Sequence, residues 1–207
     1  MTYFVIAFVA FLASGLTFFS GFGLGTILMP TFAFFFPVDI AIALTAIVHF
    51  LNNVFKFFLV RRWVEQTVLV RFGIFAILGA WLGAQLLTIV TQYSSIATWA
   101  IGQNTFQLTW LKCLIGSLML VFTFLEMSPR WKNYSFSADK LPYGGFLSGF
   151  FGGLSGHQGA LRSMFLLKCG LSKEHFVATG VAIACLIDII RLTVYTPEMF
   201  SYFAAHR

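Results

Sequence analysis

The chain has 207 residues, of which 59% are hydrophobic, 18% are aromatic and only 10% are charged. Soluble domains carry about 25% charged residues, so this composition excludes a soluble globular domain and a disordered chain and predicts a protein embedded in a lipid bilayer. The net charge is +6, but the basic residues are scattered singly and in short loops. That pattern indicates topology signals and lipid headgroup contacts rather than nucleic-acid binding.

Two kinds of apolar stretch are found in the first half of the chain. The first stretch, residues 3–36, is too long for one membrane span of about 20 residues. It is broken by Gly21, Gly23, Gly25 and Pro30. Uninterrupted spans are predicted over residues 40–60, 72–90 and 108–125. An uncharged polar connection, residues 91–107, joins the last two of these spans.

The second half repeats this order after a short polar linker. We divide the chain into a first repeat, residues 1–126, a cytoplasmic linker, residues 127–140, and a second repeat, residues 141–207. The second repeat opens with another interrupted stretch, residues 141–170, broken by Gly152, Gly153, Gly156 and Gly159. The last predicted span, residues 174–195, stops at Pro197.

The positions of lysine and arginine predict the orientation, because cytoplasmic loops carry most of them. We expect two loops on the cytoplasmic side, one with Arg61, Arg62 and Arg71 and one with Arg130, Lys132 and Lys140. We also expect Lys173 on that side, which requires residues 141–170 to enter the membrane and return as a re-entrant hairpin. The uncharged connection between the second and third spans is then external.

If the start of the chain forms a similar hairpin from the outside, each half has three spans plus a hairpin. The odd number of spans inverts the second half relative to the first. The predicted fold is therefore an all-α integral membrane protein, a polytopic helix bundle of two inverted repeats, each with a Gly-rich re-entrant helix. By this count the second repeat lacks its last helices. We expect a truncated sequence rather than a fold completed by a partner subunit.

Glycine clusters occur at matching places in the two halves, at residues 20–25 and 155–160. Paired interrupted segments in two repeats are the best sequence pointer to the central site of a transporter. The alternative is that the glycines only allow helices to pack closely.

The same residues carry a resemblance to a known family. The run from Gly21 to Pro30, with Thr45 downstream, resembles the first repeat signature of the sulfite exporter TauE/SafE family, and the run from Gly149 to Gly156, with Thr179 downstream, resembles the second. The resemblance implies a permease-type carrier with many spans in the cell membrane, inner or plasma. It also implies that the substrate is sulfite, a sulfonate or a related sulfur-containing anion.

An anion inside a bilayer needs hydrogen-bond donors and positive potential in place of water. The free N–H groups and the dipole at the N-terminus of a half-helix supply both, so we expect the substrate between the two Gly-rich breaks. The candidate substrate-binding residues are Gly23, Gly25, Thr26, Asn52, Asn53, Gly156, His157, Gln158, Gly159 and Arg162. Arg162 can hold an oxyanion with two hydrogen bonds. Its alternative role is to reach the cytoplasmic interface.

Two residues are candidates for coupling transport to a proton or a sodium ion. Histidine is the side chain that suits proton coupling near neutral pH, and His49 shares a helix face with Asn52 and Asn53, although a histidine with a packing role is the alternative. Asp188 is the second candidate. It lies three residues before Arg191 on the same helix face, and a structural ion pair between the two is the favoured interpretation.

Other function classes have less support. The sequence has no signature of a hydrolase, a phosphate-binding loop or a metalloenzyme, so we expect neither enzymatic activity nor a cofactor. The widely spaced Cys113, Cys169 and Cys185 predict no metal site and no disulfide. An anion channel and an accessory membrane subunit without transport of its own remain alternatives, although two internal repeats favour a carrier. The expected partners are the small anion and the bilayer, with no nucleic acid, and the sequence leaves a homodimer open.

Overall fold

The computed structural model describes residues 8–15, 24–93, 95–102, 104–128 and 135–205. Gly21, Gly23, Arg130 and Lys132, which are named above, lie outside this part of the chain, as does Ser20 of the first glycine cluster. Seven helices of the described chain carry the argument below and are numbered in order: α1 (Leu24–Ala33), α2 (Val38–Val60), α3 (Gln66–Thr91), α4 (Trp110–Met127), α5 (Leu141–Ser155), α6 (Gly159–Leu166) and α7 (Lys173–Ala205). Residues 8–15 are also helical.

Four of these helices are long and apolar enough to cross a bilayer. They are α2 extended by the 3-10 turn Arg61–Trp63, α3, α4 and α7. Large apolar side chains cover their outer faces, and Leu120 on α4 is 76% exposed, as expected for a lipid-facing residue. This confirms the prediction of an all-α membrane protein with several spans. The spans also fall close to the predicted residues.

Buried apolar side chains form two main clusters inside the bundle. One contains side chains of α1, α2, α3, α4, α5 and α7, and the other contains side chains of α3, α5, α6 and α7. Because α3, α5 and α7 belong to both clusters, they hold the two parts of the bundle together.

Three sequence expectations about helix breaks are wrong. Pro30 lies inside α1 and Pro197 lies inside α7, which continues to Ala205. Gly152 and Gly153 lie inside α5. A proline removes one backbone donor, and membrane helices tolerate this loss because neighbouring groups satisfy the freed carbonyl. A glycine commonly ends a helix by adopting a left-handed backbone conformation, and in this region Gly156 does so, with φ of 84°.

The connection between α3 and α4 contains a β-hairpin that the sequence analysis did not predict. Strand β1 (Ser95–Ile101) pairs antiparallel with β2 (Asn104–Thr109), and the indole of Trp99 stacks on the ring of Phe106 across the strands. The β-hairpin continues directly into the membrane helix α4. Close to the start of α4, the Lys112 ammonium group donates to the Gln107 carbonyl at 2.7 Å.

Helices α5 and α6 form a hairpin, and the start of α5 lies close to the end of α6. The chain reverses at residues 156–158, which we call the second break. The Ser148 hydroxyl donates to the Gln158 carbonyl at 3.0 Å across this reversal. At the open end, the backbone N–H of Phe136, before α5, donates to the carbonyl of Met164 near the end of α6. This is the local geometry expected for a re-entrant hairpin.

The start of α7 lies beside the turn between α2 and α3. The backbone N–H of Glu65 donates to the Thr179 hydroxyl oxygen at 2.9 Å. The turn with Arg61 and Arg62 and the start of α7 at Lys173 therefore lie at the same end of the molecule. The predicted orientation requires Arg61, Arg62 and Lys173 to lie on one side of the membrane, and this arrangement agrees with it. That this side faces the cytoplasm stays a prediction.

Helices α3 and α5 approach each other through glycine. A Cβ atom added at Gly145, Gly149 or Gly153 would overlap the carbonyl oxygens of Phe72, Ala76 and Ala80 on α3, respectively. On the other side, Gly79 and Gly83 face the backbone of α5 in the same way. Small residues four apart allow such backbone contact between membrane helices, where Cα–H groups face carbonyl oxygens. The backbones of α3 and α5 therefore pack directly against each other.

We expect Gly149→Ala to lower the free energy of unfolding by about 1–3 kcal/mol, because the methyl group would overlap the backbone of α3. Gly116→Ala is the control, since a Cβ atom at Gly116 on α4 meets no atom within 4 Å. Thermal unfolding of the purified protein in detergent measures both. Equal unfolding temperatures for the two variants would contradict this account of the α3–α5 contact.

Candidate functional site

The second break has the backbone geometry of a helix end followed at once by a helix start. The N–H of Gly156 donates to the Gly152 carbonyl at 3.0 Å and closes α5, and the N–H of Arg162 donates to the Gln158 carbonyl at 3.0 Å and opens α6. The N–H groups of the first turn of α6, from Gly159 onward, have no acceptor within their own helix. Together with the helix dipole, they make the break favourable for an anion.

The start of α1 meets the second break. A Cβ atom added at Gly25 would lie 3.5 Å from the carbonyl oxygen of Gly156. The described part of the first Gly-rich cluster and the second cluster are therefore neighbours, although they are far apart in sequence. We call this place, where Gly25 faces Gly156, the junction.

His157 lies at the junction and is almost completely buried, with 3% of its surface exposed. Its Nδ1 lies 3.1 Å from the Ser155 hydroxyl, and its ring stacks on Phe122 of α4 with 5.3 Å between the ring centroids. These contacts fix the imidazole plane. Its Nε2 atom is buried and has no hydrogen-bond partner among the described residues. A buried polar atom of this kind carries a large desolvation cost unless a ligand or water satisfies it.

Arg162 and Gln158 connect the junction to a buried carboxylate. The Arg162 guanidinium donates to the Gln158 side-chain oxygen at 3.3 Å, and the Gln158 amide donates to Asp188 Oδ1 at 3.1 Å. Arg162 is 8% exposed and Asp188 is fully buried. Arg162 is therefore enclosed inside the bundle rather than directed to the interface.

Asp188 is the centre of this buried polar group. Arg191 Nε donates to Asp188 Oδ1 at 3.0 Å, and Arg191 Nη2 lies 2.8 Å from the same oxygen. On the other side, His49 Nδ1 lies 2.6 Å and Asn53 Nδ2 lies 3.3 Å from Asp188 Oδ2. The structure thus brings both coupling candidates and Asn53 into contact.

Arg191 also contacts the end of α5. Its Nη1 donates to the Gly152 carbonyl at 3.5 Å, and a Cβ atom on Gly156 would lie only 2.8 Å from the same nitrogen. A cation at the C-terminus of a helix stabilises its free carbonyl groups. Arg191 therefore pairs with Asp188 and supports the turn at Gly156.

The remaining predicted residues lie around this group or outside it. Thr26 on α1 donates to Glu126 of α4 at 3.2 Å, and Asn52 is half-buried on α2. Thr45 bonds back to the Ala41 carbonyl within its own helix. Gly23 and Ser20 lie outside the described residues.

Sequence reasoning missed Lys56 and Glu126. Lys56 lies seven residues after His49, two helical turns along the same face of α2, and is close enough to Arg162 for the two positive charges to repel. The periodicity that grouped His49 with Asn53 contained the signal for Lys56. Glu126 lies just after the predicted span over residues 108–125, and nothing in the sequence pairs it with Thr26.

The family model of the sulfite exporter TauE/SafE matches residues 6–206 of the chain. The chain belongs to this family. Members of the family are membrane transporters and not enzymes, and the apolar helices agree with a membrane protein of several spans. No curated protein and no solved structure was found to match the chain. The family assignment therefore rests on the sequence of nearly the whole chain.

We expect Gly25→Val to block the junction while leaving the protein folded. A Cβ atom at Gly25 makes an ordinary contact with Gly156, so Gly25→Ala fits and serves as the control. The two further methyl groups of valine would occupy the space at the junction. If an anion binds there, we expect its affinity to fall roughly tenfold, which corresponds to about 1.4 kcal/mol. Uptake of labelled sulfite into vesicles measures the effect. Normal uptake by the valine variant would show that the junction is only a packing contact.

Proposed function

We propose that the protein is a secondary transporter that moves a small sulfur-containing anion, such as sulfite, a sulfonate or a related organosulfur anion. The anion binds at the junction, and alternating access exposes the junction to each side in turn. The observation that carries this proposal is the buried Nε2 atom of His157, which has no partner among the described residues. His157 lies two residues before the start of α6.

The charges around the junction support an anion rather than a cation. Arg162 and Arg191 are buried next to the carboxylate of Asp188. A buried excess of positive charge is unfavourable unless an anion compensates it. Sulfite and sulfonate groups have several oxygens that the guanidinium of Arg162 and the N–H groups of α6 can bind together.

The burial of the site supports a carrier. Gly156, His157 and Gln158 are all buried, with 2% of Gln158 exposed. An ion reaches such a site when the surrounding helices move, as in alternating access between two parts of a bundle. A secondary carrier is driven by the gradient of a second ion, which we propose to be a proton or a sodium ion. We also propose that the membrane is the cell membrane, inner or plasma.

Two histidine variants test the role of His157. An asparagine amide takes the place of Nδ1, whereas a glutamine amide reaches the place of Nε2. We therefore expect His157→Asn to weaken binding of sulfite and methanesulfonate by roughly tenfold to a hundredfold, because a hydrogen bond to a charged group contributes about 1.5–3 kcal/mol. His157→Gln should keep more of the affinity.

Isothermal titration of the purified variants measures these affinities, and vesicle transport separates the functions. A carrier shows saturable uptake and counterflow, so a preloaded anion accelerates uptake of labelled anion. Flux without counterflow would favour a channel, and a folded protein that neither binds nor moves either anion would favour an accessory subunit.

A further inference from the structure

His49 Nδ1 and Asn53 Nδ2 both lie within hydrogen-bond distance of the same oxygen of Asp188, Oδ2. Asn53 Nδ2 lies 2.9 Å from His49 Nδ1 and 3.3 Å from Asp188 Oδ2, and Nδ1 lies 2.6 Å from Oδ2. With a proton on Nδ1, the imidazole donates to the carboxylate, and Asn53 donates to the same carboxylate oxygen. The lone pair of His49 Nε2 is then the place where a further proton can bind.

His49 is also the more accessible member of the pair. Its side chain is 16% exposed, whereas the Asp188 side chain is fully buried. A proton can therefore reach His49 while Asp188 keeps its hydrogen bonds.

We propose, resting on the anion transport proposed above, that the coupled ion is a proton carried by His49 and that it moves in the same direction as the anion. The proton adds to the Nε2 lone pair from water on one side of the membrane and leaves Nε2 to water on the other side. No bond of the anion changes. Asp188 holds the imidazole and stays ionised throughout.

The charges that face the pair come from three helices and from the second break. Helix α3, which also packs against α7, has no titratable side chain between Phe72 and Thr91. The described titratable groups around the pair are Lys56, His157, Arg162, Cys185, Arg191 and Tyr195, with Glu198 beyond Tyr195.

These charges decide the direction of coupling. Two buried cationic side chains, on Arg162 and Arg191, face the one carboxylate of Asp188, so this group is positive even when His49 is neutral. A proton on His49 increases this positive charge and strengthens anion binding. By linkage, the anion strengthens proton binding by the same factor. The loaded carrier therefore holds both ions, which makes it a symporter.

Sodium does not fit the same place. Sodium, like other hard cations, prefers oxygen ligands. Both oxygens of Asp188 already accept hydrogen bonds, Oδ1 from Gln158 and Arg191 and Oδ2 from His49 and Asn53. The nearby groups are mainly nitrogen donors and cations, which repel a metal ion.

Gln158 links the proton site to the anion site. It belongs to the second break and donates to Asp188 Oδ1, while His49 contacts Oδ2 of the same carboxylate. A change of charge at His49 therefore acts on a residue whose backbone forms the break. This makes Gln158 a positioning residue between the two sites.

The test follows proton movement in vesicles that contain the purified protein and a trapped pH dye. The main probe is methanesulfonate, which stays fully ionised between about pH 5 and pH 8, so that pH acts only on the protein. Inward methanesulfonate flux should acidify the interior of vesicles with the parent protein. Lowering the pH across this range should tighten methanesulfonate binding about tenfold.

His49→Gln should abolish the acidification and flatten the pH dependence, while anion-for-anion exchange continues at a reduced rate because it moves no net proton. His175→Gln is the matched control, since His175 lies at the start of α7, where it contacts Ser172. This control should acidify the vesicles as the parent does.

The outcomes separate this proposal from the anion site. Methanesulfonate flux by the parent without acidification, or flux that requires sodium, would overturn proton coupling and leave the anion carrier standing. The parent measurement decides this even if His49→Gln does not fold. If a folded His49→Gln variant keeps a pronounced pH dependence of methanesulfonate binding, another group, such as His157, carries the proton and the assignment to His49 is wrong. A parent that moves neither methanesulfonate nor sulfite would overturn both proposals.

Discussion

The buried carboxylate of Asp188 is the interaction on which the centre of the molecule depends. Asp188 lies within an apolar helix, α7, and has no exposed surface. An unpaired charge in such a place costs several kcal/mol. Donors from α2, from the second break and from its own helix surround it. Because each donor belongs to a different part of the fold, one carboxylate fixes the relative positions of all three. Removing it would leave Arg191 and Arg162 buried without compensation.

The direct contact between α3 and α5 supplies the rigid side of the site. Glycines on both helices bring the two backbones together, so α5 cannot shift without losing that contact. The turn at Gly156 ends α5, and Arg191 contacts the Gly152 carbonyl next to this turn. On the other face of the junction, α1 is packed mainly against α2.

The sequence predicted features that follow from length, hydropathy and composition. Apolar runs identified the four spans because a bilayer demands a fixed length of apolar helix. The sequence also marked the glycine clusters, but it could not assign a role to each glycine. Gly149, Gly153 and Gly156 look alike in the sequence, and only their partners show that the first two pack against α3 while the third turns the chain. That difference depends on a helix distant in sequence.

The polar centre was predictable only in part. The spacing of Asp188 and Arg191 indicates a pair, because residues three apart share a helix face. The contact of Asp188 with His49 joins residues from different halves of the chain, and no local rule reaches across that distance. The role of Lys56 was missed because a lysine near the end of an apolar run resembles an ordinary interface residue. The β-hairpin was missed because its strands are short and lie in an uncharged loop.

The most direct test of the account is to locate a bound anion at atomic resolution. Selenite has the shape and charge of sulfite and carries an atom that can be identified by its anomalous scattering. We expect a single selenium site at the junction, with an oxygen at hydrogen-bond distance, about 2.7–3.2 Å, from His157 Nε2 and further oxygens facing the first N–H groups of α6. A structure of selenite-loaded, transport-competent protein in which selenium lies only at the basic turn with Arg61 and Arg62, and the junction is filled by side chains, would contradict it.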